Sequence, residues 1–161
     1  MLRYGLDRMG LGGQTTDVVR SKAMWVSEQS VQTQAPPDAV WRVWADIPSW
    51  PAWNRDLEYV EADGPLATGT TLTLGERGVG PVKSRVTDVT EGESFTFAID
   101  LDGATLSVVY RVAIWAGATR IYHRMIIEGP NDQLVGQQMA TIVSERIPHV
   151  LQELARVAES L

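Results

Sequence analysis

The sequence predicts an α+β fold in which a curved antiparallel sheet of about seven strands wraps around a long C-terminal helix. Three observations point to it. Period-two apolar patterns separated by glycine turns fill the middle of the chain. A stripe of apolar residues at three- and four-residue steps fills its end. Two short helical segments separate the first strand from the rest. The chain has 161 residues, 44% of them hydrophobic and 21% charged, which suits one globular domain able to bury its own core.

Residues 1–23 hold Gly10, Gly12 and Gly13 close together and no sustained apolar period. They read as a disordered tail before a domain spanning residues 24–161. The first strand is expected over 25–34. Ala35-Pro36-Pro37-Asp38 breaks it, and Asp38 is a candidate helix cap. Val40, Trp41 and Trp44 then share one helical face, and Pro48 and Pro51 set off a second short turn, SWPAWNR.

The strands that follow can be registered by arithmetic, because a two-residue turn fixes which residues face each other. Turns at Glu91-Gly92, Asp102-Gly103 and Ala116-Gly117 are the natural choices. The first sets Val86 opposite Phe97, Ser84 opposite Ile99 and Val82 opposite Leu101. It also places Asp88 opposite Phe95, at a strand end where a solvated side chain is expected. The second sets Ile99 opposite Leu106, Phe97 opposite Val108 and Phe95 opposite Tyr110. The third sets Val112 opposite Ile121, Tyr110 opposite His123 and Val108 opposite Met125. All three registers gather the apolar residues on one face. Lys83, Arg85, Asp100, Arg111, Arg120, Tyr122 and Arg124 fall on the other. A one-residue slip in any hairpin destroys the agreement.

From Asp132 to Ser160 the pattern is helical, with Met139, Val143, Ile147, Val150, Leu154, Val157 and Leu161 in a stripe. Gly136 allows a close approach by another element. Pro148 is expected to kink the helix near Ser144 and Glu145.

The string APPDAVWRVWADIPSWPAWN resembles the opening of the START-like, or SRPBCC, superfamily, and more narrowly its polyketide cyclase/dehydrase and lipid-transport branch. The matching residues are Ala35-Pro36, Asp38, Val40-Trp41, Asp46 and Trp50-Pro51-Ala52-Trp53-Asn54. PLATGTTLTL, residues 65–74, is similar to that family's approach to its third strand. VTDVTEGESFTF, residues 86–97, is similar to its glycine-turn hairpin. The resemblance runs from about Trp25 to the C-terminus. It implies the helix-grip fold and a cavity for a hydrophobic small molecule such as a lipid or polyketide. It implies no shared catalytic motif, since the family includes carriers, cyclases and coenzyme-binding proteins.

Within that fold Tyr110 and His123 face each other on the apolar side of the sheet. A buried phenol and imidazole need hydrogen-bond partners. Three roles are open to them: filling the core, contacting a ligand, or serving acid–base chemistry in an aromatase/cyclase-type enzyme. The expected ligand-binding residues are Phe95, Phe97, Tyr110, His123, Met125 and Met139, around a cavity of roughly a few hundred Å3. Trp41, Trp44, Trp50 and Trp53 crowd the short helices. The resemblance implies that Trp41 and Trp53 mainly anchor these helices to the sheet, and packing is the expected role of the cluster, with some of it at the cavity mouth. A protein-interaction module is a third class, which an exposed apolar patch would favour.

Other chemistries find little support. The net charge of −6, with no basic run, suits neither nucleic acid nor an anionic membrane surface. Arg85, Arg111, Arg120 and Arg124 read as a solvated sheet face. GERGVGPVKS lacks the lysine position and the following helix of a phosphate loop. With no cysteine and only His123 and His149, no metal site is expected. No cofactor is expected either. No signal-like or membrane-spanning apolar run is present, so the cytoplasm is the expected location, with the chain a monomer or homodimer.

Overall fold

A computed structural model describes residues 24–161; the tail expected over 1–23 lies outside the described residues. The elements follow the order β1 (Met24–Thr33), α1 (Pro37–Ala45), a 3-10 turn (Ile47–Ala52), β2 (Leu57–Ala62), β3 (Thr71–Glu76), β4 (Gly80–Thr90), β5 (Ser94–Leu101), β6 (Ala104–Trp115), β7 (Ala118–Glu128), α2 (Asp132–Glu145) and α3 (Ile147–Glu159). The seven strands form one antiparallel sheet in the order β1-β7-β6-β5-β4-β3-β2. The helix α3 packs on β1, β7 and α1. This is the predicted helix-grip architecture.

Two hairpins have the expected register. Phe95 pairs with Tyr110 and Phe97 with Val108 across β5–β6, and Tyr110 pairs with His123 across β6–β7. Ala116 (φ 52°) and Gly117 (φ 80°) both lie in the left-handed region, as the tight two-residue turn between β6 and β7 demands.

The β4–β5 hairpin departs from expectation. Its turn holds three residues, with Thr90 opposite Ser94, and a bulge at Thr87 then restores the register. The two irregularities cancel, so Val86 does face Phe97. Between them the pairing is shifted: Asp88 faces Thr96, not Phe95, and Val89 takes its place. Asp88 is exposed. The paired register ends at Arg85–Ala98, so the expected Ser84–Ile99 and Val82–Leu101 pairs lie beyond it.

The face predicted to be apolar is buried, from Leu72 and Leu74 through Phe95, Phe97 and Leu106 to Ile121 and Ile127. On the opposite face Arg85 pairs with Asp100 at 3.0 Å, Arg120 donates to Ser30, and Arg111 lies 4.0 Å over the Tyr122 ring.

Three helical expectations need correction. Asp38 does not cap α1: Pro36 occupies the cap position and no side chain bonds there, because the Pro36-Pro37 pair already sets the backbone for the first turn. The long C-terminal helix is two helices, broken at Arg146, slightly beyond Ser144 and Glu145. Pro148 has no N–H for the Ser144 carbonyl, and its ring crowds that carbonyl. Leu161, assigned to the stripe, lies past the end of α3 and is 63% exposed. The remainder of the stripe is buried or half-buried. Gly136 makes the predicted close approach, since a Cβ there would collide with the Trp25 ring.

The break leaves helix carbonyls without their usual partners. Gln29, on the concave side of β1, donates through Nε2 to the Val143 carbonyl and so ties the end of α2 to the sheet.

Candidate ligand-binding cavity

The site grows from one row of the sheet. Gln29 on β1, His123 on β7, Tyr110 on β6 and Phe95 on β5 are successive cross-strand neighbours. Their side chains point the same way because antiparallel partners share a face. Phe95 and Tyr110 stack with ring centroids 5.3 Å apart, and His123 meets Tyr110 edge to face at 5.0 Å. The short helices cover one end of this row. Trp44 lies 5.4 Å from Phe95, Trp50 lies 5.6 Å from Phe95, and Trp53 stands edge-on to Tyr110 at 5.7 Å. Trp50 is fixed in turn by its indole N–H, which donates to the Trp44 carbonyl at 2.9 Å.

Beyond the covered end lies a cavity of about 140 Å3 between the sheet and the α2–α3 break. This is less than the few hundred Å3 anticipated. The sheet contributes Leu74, Phe97, Ile99, Leu106, Val108 and Met125 to its wall, together with Tyr110 and His123. The helices contribute Met139, Ile142 and Ile147, and the 3-10 turn contributes Trp50 and Trp53. Its remaining members, Asn54, Asp56, Glu76 and Arg146, are polar and partly exposed, and mark the mouth.

Of the residues expected around a cavity, Phe97, Tyr110, His123, Met125 and Met139 border it. Phe95 does not. It is fully buried behind the wall, clasped by Tyr110, Trp44 and Trp50. Strand register alone cannot show that the tryptophans of the short helices seal that end of the row. Trp50 and Trp53 combine the two roles expected of the tryptophans, packing against the sheet and bordering the cavity.

The titrating groups are shifted by their surroundings. Burial pushes the Tyr110 phenol well above its usual range, so it stays protonated and can donate. Burial lowers His123 to about 4, against a weaker opposing hydrogen bond to its own backbone. Its imidazole is therefore neutral at pH 7. Among the described residues the phenol has no hydrogen-bond partner, and it does not bond the imidazole it touches. At the mouth, Asp56 pairs with Arg146 at 3.5 Å. Glu76 is raised above the usual carboxylate range, first by burial and then by Asp56, with Arg146 acting the other way.

The mouth residues were not singled out from sequence. Pro148 did signal a helix break, and a break lying over a cavity leaves its junction residue, Arg146, at the opening. Gln29 gave no signal, because its role depends on where the break falls. His149 is exposed on α3, away from the buried His123. Among the described residues no three His, Asp or Glu side chains gather as a metal site, and no helix is long and apolar enough to cross a membrane.

Comparison with known proteins agrees with this architecture. Norcoclaurine synthase from Thalictrum flavum is 14% identical, with a TM-score of 0.68 over 88% of this chain and 90% of that one. Ara h 8.0201 is 13% identical, with a TM-score of 0.68 over 86% of this chain and 100% of that one. The di-domain ARO/CYC StfQ of the steffimycin biosynthetic pathway is 8% identical, with a TM-score of 0.69 over 85% of this chain and 51% of that one. At these identities the likeness is one of fold. No curated protein sequence matches. The family model described as "Polyketide cyclase / dehydrase and lipid transport" matches residues 24–159, nearly the whole of the described chain. The chain therefore belongs to the polyketide cyclase/dehydrase and lipid-transport family of the SRPBCC superfamily.

Proposed function

We propose that this protein binds a small, mainly apolar molecule in the cavity between the sheet and the α2–α3 break. The observation that carries this reading is an apolar cavity with an unpartnered phenol in its wall. An apolar wall gains free energy by covering a ligand, at about 25 cal/mol per Å2 removed from water. A buried donor without a partner is costly until a ligand oxygen or a water meets it. The family description, which names lipid transport, supports the same reading.

The test is a titration with naphthol, a flat apolar probe carrying one hydroxyl. Wild type is expected to bind it. Tyr110→Phe is expected to weaken binding by about 0.5–1.5 kcal/mol, the net worth of one hydrogen bond, because burial supplies most of the affinity. Failure of wild type to bind, or a loss of all affinity on removing one hydroxyl, contradicts the reading.

A cyclase-type enzyme is the second reading, and one observation favours it. The imidazole and the phenol lie side by side in the cavity wall, so a ligand carbonyl there would meet a hydrogen-bond donor with a base beside it. In that case loss of either group lowers turnover by about 10²–10⁴-fold while binding survives.

A further inference from the structure

We propose that the cavity's ligand is a small amphiphile whose polar end is a cation of the ammonium type, held at the mouth by Glu76. This inference rests on the binding function above and deepens it.

The cavity is chemically graded. Its body is apolar, while its polar members at the mouth are Asn54, Asp56, Glu76 and Arg146. Their capacities are unequally used. The Asp56 carboxylate and the Arg146 guanidinium are 3.5 Å apart and engage each other. Asn54 accepts from the Asp56 backbone N–H at 3.1 Å. Glu76 is half-buried in the cavity wall, and among the described residues its carboxylate has neither an ion-pair partner nor a hydrogen-bond donor.

The surrounding charges do not change the sign. Arg77, next in sequence to Glu76, turns away to the Arg55 carbonyl and Glu58. The groove outside the mouth adds Arg55, Glu145, His149 and Glu153, and Glu153 is paired with Arg156. The mouth itself sets two carboxylates against one guanidinium that is already engaged.

An anionic end, such as a fatty-acid carboxylate, would have to share Arg146 with Asp56 while lying against the Glu76 carboxylate. An ammonium end instead gives Glu76 the donor it lacks, in a place where partial burial strengthens the attraction. The second polar feature is the Tyr110 phenol, in a residue only 4% exposed and bordering the same cavity without a partner. It favours a ligand with an acceptor on its buried body. The volume of about 140 Å3 sets the size, nearer to one ring with a short chain than to a long acyl lipid.

The test uses three probes of one shape at neutral pH: phenylbutylamine, phenylbutanol and phenylbutyrate, titrated calorimetrically into the whole chain. The amine is expected to bind roughly tenfold or more tightly than the acid, as one charge-assisted hydrogen bond against a like-charge contact implies. Glu76→Gln is expected to lower amine affinity roughly tenfold and alcohol affinity by much less. Glu76→Ala is a second variant with the same expected result, and thermal unfolding of each verifies the fold. Binding of the alcohol with no preference for the amine overturns this inference alone, as does amine affinity that survives both variants. Binding of none of the three overturns the cavity's binding function and this inference with it.

Discussion

Replacing Leu154 by alanine is expected to destabilise the protein by about 2–5 kcal/mol, the range for large-to-small changes in a closed core. Leu154 is fully buried at the centre of α3, flanked on the same face by Val150, Leu151, Ala155 and Ala158. That face meets β1, β7 and α1 together. Three elements converge on the site, so the space left by the three missing carbons (Cγ, Cδ1 and Cδ2) cannot close by moving one of them, and the lost contacts are not recovered. Urea unfolding measures the change directly. The control is Leu161→Ala, at the end of the same periodic stripe but 63% exposed, where little change is expected. A loss below about 0.5 kcal/mol at Leu154, the scale of an ordinary surface change, would mean that the helix does not hold the sheet through this face.

Acid is expected to destabilise the fold through His123. Its imidazole titrates at about 4 in the folded chain, against 6.5 when exposed. The folded value is the lower, so the unfolded chain binds the extra proton first. Stability is therefore full above pH 6.5 and is lost as pH falls towards 4. At about 1.4 kcal/mol per pKa unit, the whole shift amounts to about 3 kcal/mol. Glu76 has the opposite sign. Its folded value is raised, so it favours folding at low pH and partly offsets His123. Glu153 and Glu159 are lowered by their hydrogen bonds, so their losses come below the ordinary carboxylate value of 4.5. The slope between pH 6.5 and 4.5 thus reports mainly on His123. His123→Phe is expected to flatten it, as measured by unfolding at a series of pH values. An unchanged slope in that variant contradicts the burial of a neutral imidazole.

The sheet was legible in the sequence because period two and glycine turns over-determine it. A false register at Asp88 was harmless to the rest, since the bulge at Thr87 restored the face from Val86 onward. That bulge has no single-residue signature, and neither does the third turn residue beside Gly92. The position of the helix break was nearly legible, because Pro148 forbids a continuous ladder. The cavity was only half legible. Register placed Phe97, Tyr110, His123 and Met125 on one face, but which part of that face stays open depends on how Trp44 and Trp50 settle over Phe95. The mouth was illegible, since Asp56, Glu76 and Arg146 come from three separate segments that only the closed fold brings together.

A small apolar molecule is expected to occupy the space beside Tyr110 and His123. Leu106 lies in the cavity wall, on β6 between the Ile99 and Ile127 strands, and is 5% exposed. Leu106→Trp directs extra volume into that space. The most direct measurement is a naphthol titration of this variant beside wild type, with circular dichroism to verify its fold. Wild type is expected to bind, and the folded variant to lose affinity by roughly tenfold or more, because a filled pocket excludes its ligand. Equal affinity in a correctly folded Leu106→Trp protein would contradict binding in this cavity, since the probe would then be bound elsewhere.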